Sequence, residues 1–493
     1  MNRNTYSLAG AVVVLAVLTG AAGLNSGGGD SGGTPAAGAA ARLPVQRTSL
    51  LCPEPSSSEL ASTQYTSFTP NGSGTGAGTA AGGGSAKLLP VTPKAKPVAP
   101  LTSVGKPAVA NVDKPDGPAL IGTADGSLAP GWTVQQTTVV DSGDGRGLLG
   151  TSCVAPDSEF WFPGASTVTG RQDYVHLINP DETPAVVDIE LYGKDGLLKA
   201  STGEGITVAG GSSEPVMLST LVADKAADLT VHVVARSGRV GALLQSVDDK
   251  AGADWMAPAA EPATSLVLPG IPADATDVRL VAFATGSDDA DLTFKLATPT
   301  GSITPAGHET LHVKSGMSTV ADLGDVTKGD ASSLIIGSSD AHTAVPVVAA
   351  LRVTRGKGAK QEIAFLPATP RIDTRASVAD NRAKGSTLSL TAVGGSATVR
   401  VTSSAGSGGG TGSSKTLIVK AGTTTALVPT PPAGLKGTYA LTVERLSGGQ
   451  LYASRTLALP VGDVQMFTIQ PMPDDHGTVS VPEAAQDLRI LNR

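Results

Sequence analysis

Between residues 174 and 246 apolar and polar positions take turns in short runs. Residues 174–178, 186–192, 206–208, 216–218, 229–235 and 240–246 alternate or run apolar, separated by Asn179-Pro180-Asp181, Lys194-Asp195-Gly196 and Ser237-Gly238-Arg239. A period of two sends successive side chains to opposite faces of a strand, and Asn, Asp, Pro and Gly supply the turns. No segment of helical period has any length. Six or seven strands in about 100 residues predict an antiparallel β-sandwich of immunoglobulin-like size.

The pattern returns downstream. Val208, Gly211 and Leu229 recur as Val313, Gly316 and Leu334, then as Val419, Gly422 and Leu441. A near-constant spacing of about 105 residues indicates tandem copies of one domain, each large enough for its own core. Strands are expected again at 278–283, 292–297, 335–336 and 347–353, then at 388–391, 399–402, 417–419 and 439–443. An apolar triplet ending in proline marks the boundaries, at Phe160-Trp161-Phe162-Pro163, Leu266-Val267-Leu268-Pro269 and Ala364-Phe365-Leu366-Pro367, where proline stops a ladder by removing an N–H. The copies share hydrophobic positions and turn glycines but no set of titratable residues.

The ends of this pattern carry different signals. Arg3 precedes an apolar run from Leu8 to Leu24; residues 1–24 predict a signal peptide or a retained transmembrane signal-anchor helix, with everything after it extracytoplasmic. Residues 25–41 read as a flexible tether. From Pro70 to about Pro118 the chain is rich in Gly, Ser, Lys and Pro, too poor in large apolar groups to offset the entropy of ordering, and is expected to be disordered. The resulting division is a first β-sandwich over 42–265 with the insertion 70–118, a second over 266–366, and a third with a tail over 367–493. The expected fold class is all-β: tandem immunoglobulin-like sandwiches after an N-terminal apolar helix and disordered linkers.

The two cysteines, Cys52 and Cys153, lie in the exported portion, where an oxidising compartment favours one disulfide. A net charge of -7 without clusters of Lys or Arg argues against nucleic acid as a partner. Aromatic residues are 3% of the chain, so few large side chains are left to build a site.

Candidate chemistry is sparse. His308-Glu309-Thr310-Leu311-His312 spells HExxH, which binds zinc only on a helix, where residues four apart share a face. The preceding Pro305 and Gly307 and the alignment with residues 203–207 place it on a strand, where positions four apart are about 13 Å distant. Gly29-Asp30-Ser31-Gly32-Gly33 matches a serine-protease signature within the tether, without chain before it to supply a base. Asp141-Ser142-Gly143 lacks the second carboxylate that an aspartic-protease pair needs. Acidic turns at 141–144, 288–291 and 474–475 have no EF-hand spacing. Trp161 belongs to a strand triplet and to the core; Trp132 and Trp255, near segment ends, are candidate platforms for a carbohydrate ligand. No metal or cofactor is expected.

Several stretches resemble a known family: Leu43-Pro44-Val45 through Leu51-Cys52-Pro53, Gly131-Trp132-Thr133-Val134-Gln135-Gln136, Phe160-Trp161-Phe162-Pro163-Gly164-Ala165, and Asp173-Tyr174-Val175-His176-Leu177 with Asn179-Pro180. They are similar to an actinobacterial family of Ala/Gly-rich, secreted or membrane-anchored proteins of unknown function. The resemblance implies location and architecture and carries no catalytic residue; it also implies an envelope partner, either polysaccharide or another surface protein. The expectation is a non-enzymatic cell-envelope scaffold, a stalk of three sandwiches. The alternatives are a secreted zinc hydrolase using His308, Glu309 and His312, and a carbohydrate-binding protein using Trp132 or Trp255.

Overall fold

The computed structural model describes residues 41–72, 83–91, 95–112, 117–143 and 145–481. The expected apolar segment 1–24, the tether up to residue 40 and the motif at 29–33 lie outside the described residues. Among the described residues no helix is long and apolar enough to cross a membrane, which corrects the expected transmembrane helix. The α-helix Leu218–Leu221 has 4 residues, against the roughly 20 a span requires.

The described chain is almost entirely antiparallel sheet. The first sandwich-like unit, copy one, contains β1 (Arg47–Cys52), β2 (Ala61–Phe68), β3 (Ser85–Pro90), β4 (Val98–Leu101), β5 (Ala108–Val112), β6 (Leu120–Asp125), β7 (Thr133–Val140) and β8 (Gly147–Ser152). One sheet runs β1-β6-β3-β4 and the facing sheet β5-β2-β7-β8. Copy two, from Glu159 to Met256, and copy three, from Leu266 to Pro367, repeat both orders, each with a short extra hairpin strand. Copy four, from Arg375 to Pro471, repeats them with two pairs of strands fused: Ser386–Ser403 and Tyr439–Val461 each bend from one sheet into the other. The ladder between them breaks at Val393/Ala397, beside Gly394, where φ is 72°.

Two expectations need correction here. Residues 42–265 hold two pairs of sheets instead of one, and the stretch 70–118 carries β3, β4 and β5. These strands are short and small-residued, but each pairs with a neighbour that supplies the ladder, as Gly122 of β6 does opposite Leu88 and Tyr65 of β2 opposite Ala110. Pro100 is tolerated because β4 lies at a sheet edge. The sandwiches also differ from immunoglobulin domains in strand order, since the first strand pairs with the sixth in the sheet that also holds the third and fourth.

Two of the three proline triplets do not end strands, whereas Pro367 is the last residue of the strand Glu362–Pro367, as expected. Pro163 and Pro269 sit inside the first strands of copies two and three, immediately before β-bulges at Gly164 (φ 111°) and Gly270 (φ 90°). Copy four makes the same bulge with Asp380 at φ 55°. Proline lacks a donor, and the bulge removes the demand for one.

Each copy has a core shared by its two sheets. Leu88, Tyr65 and Trp132 fill copy one, Val187, Leu191 and Leu244 copy two, Phe294, Leu334 and Leu351 copy three, and Leu390, Val399 and Tyr439 copy four. The eighth strand of each copy also feeds a neighbour. Trp255 and Ala253 of copy two pack with Leu149 and Val140 of copy one. Ile363 and Phe365 of copy three join the core of copy two, and Phe467 and Ile469 of copy four join that of copy three. Leu148 of copy one closes the cycle by packing on Leu457 and Met466 of copy four. Burial of each large side chain contributes roughly 1.5–3 kcal/mol, so the seams between copies are held as its own core holds each copy.

Within residues 43–479, which form one compact unit, the four eighth strands β8, Gly252–Met256, Glu362–Pro367 and Val464–Pro471 therefore meet in cyclic order. Polar bonds tie the centre. Gly150 donates its N–H to Asp254 Oδ1 at 3.0 Å, Thr468 Oγ1 donates to the Gly150 carbonyl at 3.2 Å, and Arg146 reaches Glu362 and the carbonyl of Gln361. The expected linear stalk of three sandwiches is replaced by a closed arrangement of four.

Candidate functional site

The second strand of copy two, Arg171–Ile178, divides its side chains cleanly. Val175 and Leu177 enter the core, so Gln172, Tyr174 and His176 project from the opposite face. The neighbouring strand Gly241–Asp248 sets Gln245 opposite Tyr174, and Ser213–Met217 sets Pro215 opposite His176. Across from this face stands copy one, through residues 54–58 after β1 and through Leu149 of β8. Between the two walls lies a groove of about 680 Å³, within the range of small-molecule sites.

The groove mixes polar and apolar lining, with Glu54 its one carboxylate among the described residues. Glu54 Oε1 accepts a hydrogen bond from Ser213 Oγ at 2.7 Å, which pins the two copies together at one end. No Lys or Arg side chain lines it among the described residues. At its floor His176 is only 6% exposed, and its Nε2 has no hydrogen-bond partner among the described residues. Its ring meets the indole of Trp255 edge-on, with centroids 5.0 Å apart. Burial pushes the imidazole down to about 4, only partly offset by a hydrogen bond with Gln245. At neutral pH the ring is uncharged, with one nitrogen free to accept and the other to donate, depending on its tautomer.

The HExxH residues do not form a zinc site. Thr310–Val313 is a strand paired with Ala290–Ala297, and His308 lies in the turn before it. His312 is exposed and bonds Asp291 Oδ1 at 2.8 Å, which raises its affinity for protons, while Glu309 accepts the N–H of Gly307 at 3.0 Å. Among the described residues no group of three potential metal ligands assembles. The strand geometry that separates His308 from His312 is the physical reason to abandon the zinc-hydrolase alternative.

The tryptophan platforms are also corrected. Trp132 is 4% exposed and donates Nε1 to Ser67 Oγ at 2.8 Å, and Trp255 is 2% exposed. Their apolar bulk is worth more to the cores of a chain with 3 tryptophans than on its surface. Trp161, stacked on His232 at 3.7 Å, fills the seam between copies two and three. Cys52 and Cys153 form a disulfide inside copy one, joining the end of β1 to the residue after β8.

The sequence reading named Tyr174 and His176 only as part of a family-like stretch and missed the groove. The available signal was the every-second-residue series Gln172, Tyr174, His176, three polar or aromatic side chains on one face of a strand whose other face is apolar.

No curated protein matches the chain. A family model matches residues 108–430, from β5 of copy one into copy four and over more than half of the chain. The matched span includes the copy-two wall of the groove and the apolar seams joining copy two to copies one and three, and on it the chain belongs to the family of unknown function DUF5719.

Proposed function

We propose that this chain is a non-enzymatic, extracytoplasmic protein of the cell envelope, a rigid scaffold that presents a binding groove to an envelope component. One observation carries the reading: a framework repeated four times around a closed centre, with no reactive set repeated along with it among the described residues. Buried Glu362 and Asp254 bridge seams between copies, through Arg146 and the N–H of Gly150, and buried Arg171 pairs with Asp173 within copy two, which are packing roles. The Cys52–Cys153 bond supports placement in an oxidising compartment.

Two measurements test it. Thiol alkylation of intact cells followed by mass spectrometry is expected to find Cys52 and Cys153 unmodified until reductant is added; free thiols would overturn the location. The purified full chain is expected to co-sediment with isolated cell envelope, and a chain left entirely in the supernatant would overturn the binding role.

A further inference from the structure

We propose that the groove between copies one and two binds an uncharged saccharide segment, with Gln172, Gln245 and His176 Nε2 hydrogen-bonding its hydroxyls against the ring of Tyr174. The proposal deepens the binding role given above and rests on it. The groove's chemistry selects this class. Without Lys or Arg in its lining among the described residues, an anion would find no counter-charge there. Glu54, the one carboxylate, is already engaged by Ser213, so a cation would have to compete for it.

What remains are amides, hydroxyls and a neutral imidazole. A Gln side chain offers a donor and an acceptor side by side, which suits neighbouring sugar hydroxyls; Gln245 already donates weakly to the Pro55 carbonyl at 3.5 Å and bonds His176, so a sugar would share its amide, and Ser56, Ser57 and Ser58 line the copy-one wall. Pro215, Leu149 and Val247 add apolar surface for the C–H faces of a sugar ring. The imidazole of His176 lines the groove, and its Nε2, shielded from solvent, has no partner among the described residues, so a turn of the ring toward the groove would present it to a ligand. A buried polar atom without a partner costs free energy, which a ligand hydroxyl would recover. Every copy-two contributor sits on a strand with fixed register, Tyr174 opposite Gln245 and His176 opposite Pro215, so the donors are held in place before a ligand arrives.

The test uses the purified, oxidised full chain. Maltotriose, mannotriose and chitotriose are titrated separately, with choline and inorganic phosphate as charged probes. Binding is read by ligand-detected NMR and by tryptophan fluorescence, since Trp255 lies against His176. At least one trisaccharide is expected to bind saturably, and Tyr174→Ala and Gln245→Ala each to weaken it tenfold or more at an unchanged melting midpoint. Gln172, on the exposed edge, gives a third variant, Gln172→Ala, that cannot disturb the core. Lys415→Ala, on copy four, is expected to bind as the unaltered chain does. Absence of saturable binding by all three sugars at millimolar concentration overturns the proposal, as does binding indifferent to these variants. Choline binding abolished by Glu54→Gln, without sugar binding, would replace it with a cation site. Envelope co-sedimentation retained in Tyr174→Ala and Gln245→Ala would overturn this groove as the attachment site while leaving the scaffold role intact.

Discussion

Arg146 Nε donates to Glu362 Oε1 at 2.8 Å, joining the turn before β8 in copy one to the first residue of the eighth strand in copy three. The carboxylate is nearly inaccessible, and burial pushes its pKa up from 4.5 to about 7 against the pull of Arg146. A carboxyl raised on folding takes up a proton as the chain folds between those two values. Stability therefore falls as pH climbs from about 4.5 to about 7, by at most about 3 kcal/mol. Thermal unfolding across this range should show the loss in the unaltered chain and a flatter profile in Glu362→Gln; parallel profiles would show that the carboxyl is not desolvated. Arg146→Ala, which leaves the buried acid unpaired, should cost about 3–5 kcal/mol at pH 8.

His176 works in the opposite direction over nearly the same range. Its pKa falls from 6.5 to about 4 on folding, so the unfolded chain binds the extra proton. The contribution of the neutral ring is complete above about 6.5 and is lost as pH drops towards 4, again by about 3 kcal/mol at most. His176→Gln should keep its stability below pH 6 better than the unaltered chain does, measured by urea unfolding at pH 4.5 and 7.5. Equal pH dependence in both would contradict the burial of the ring.

The Cys52–Cys153 bond spans 101 residues. On the chain-entropy view a loop of that length contributes up to about 4.7 kcal/mol. The double variant Cys52→Ser and Cys153→Ser should unfold at a correspondingly lower urea concentration, and reductant should shift the unaltered chain but not the variant. Limited proteolysis of the reduced protein is expected to cut first in copy one.

Gly150 passes so close to copy four that a Cβ there would stand 2.9 Å from Thr468 Oγ1 and 3.1 Å from Thr468 Cβ. Gly150→Val should force copies one and four apart, costing at least 1–3 kcal/mol by overpacking alone. Hydrogen exchange should then rise in β8 and Val464–Pro471 together. A rise confined to β8 would mean that this seam does not hold the cycle.

Three of the four copies were legible because their turns repeat a strict requirement. Gly211, Gly316 and Gly422 adopt φ of 63°, 66° and 68° at matching positions, a conformation that favours glycine and so leaves a fixed mark in the sequence. Copy one hid because Ser85–Pro90, Val98–Leu101 and Ala108–Val112 hold few large side chains and the first two contain proline; their order comes from partners such as β6 and β2. Cys52 and Cys153 could be paired by counting. Only one wall of the groove was legible, in the alternation of Gln172, Tyr174 and His176; the groove itself exists only where residues 54–58 of one copy face that wall of the next. HExxH misled for the converse reason: a local spelling was outweighed by the strand partner that Ala290–Ala297 provides.

The backbone N–H of Val45 donates to the carbonyl of Gly477 at 3.0 Å, where the first copy abuts the fourth. A row of modules left open at its ends can gain or lose members by gene duplication and merely become longer or shorter. Here membership is fixed at four, because every eighth strand already has a neighbour on either side and an inserted fifth would find no vacancy. Change within this architecture is thereby confined to the loops and outward faces of the four copies, which no seam constrains.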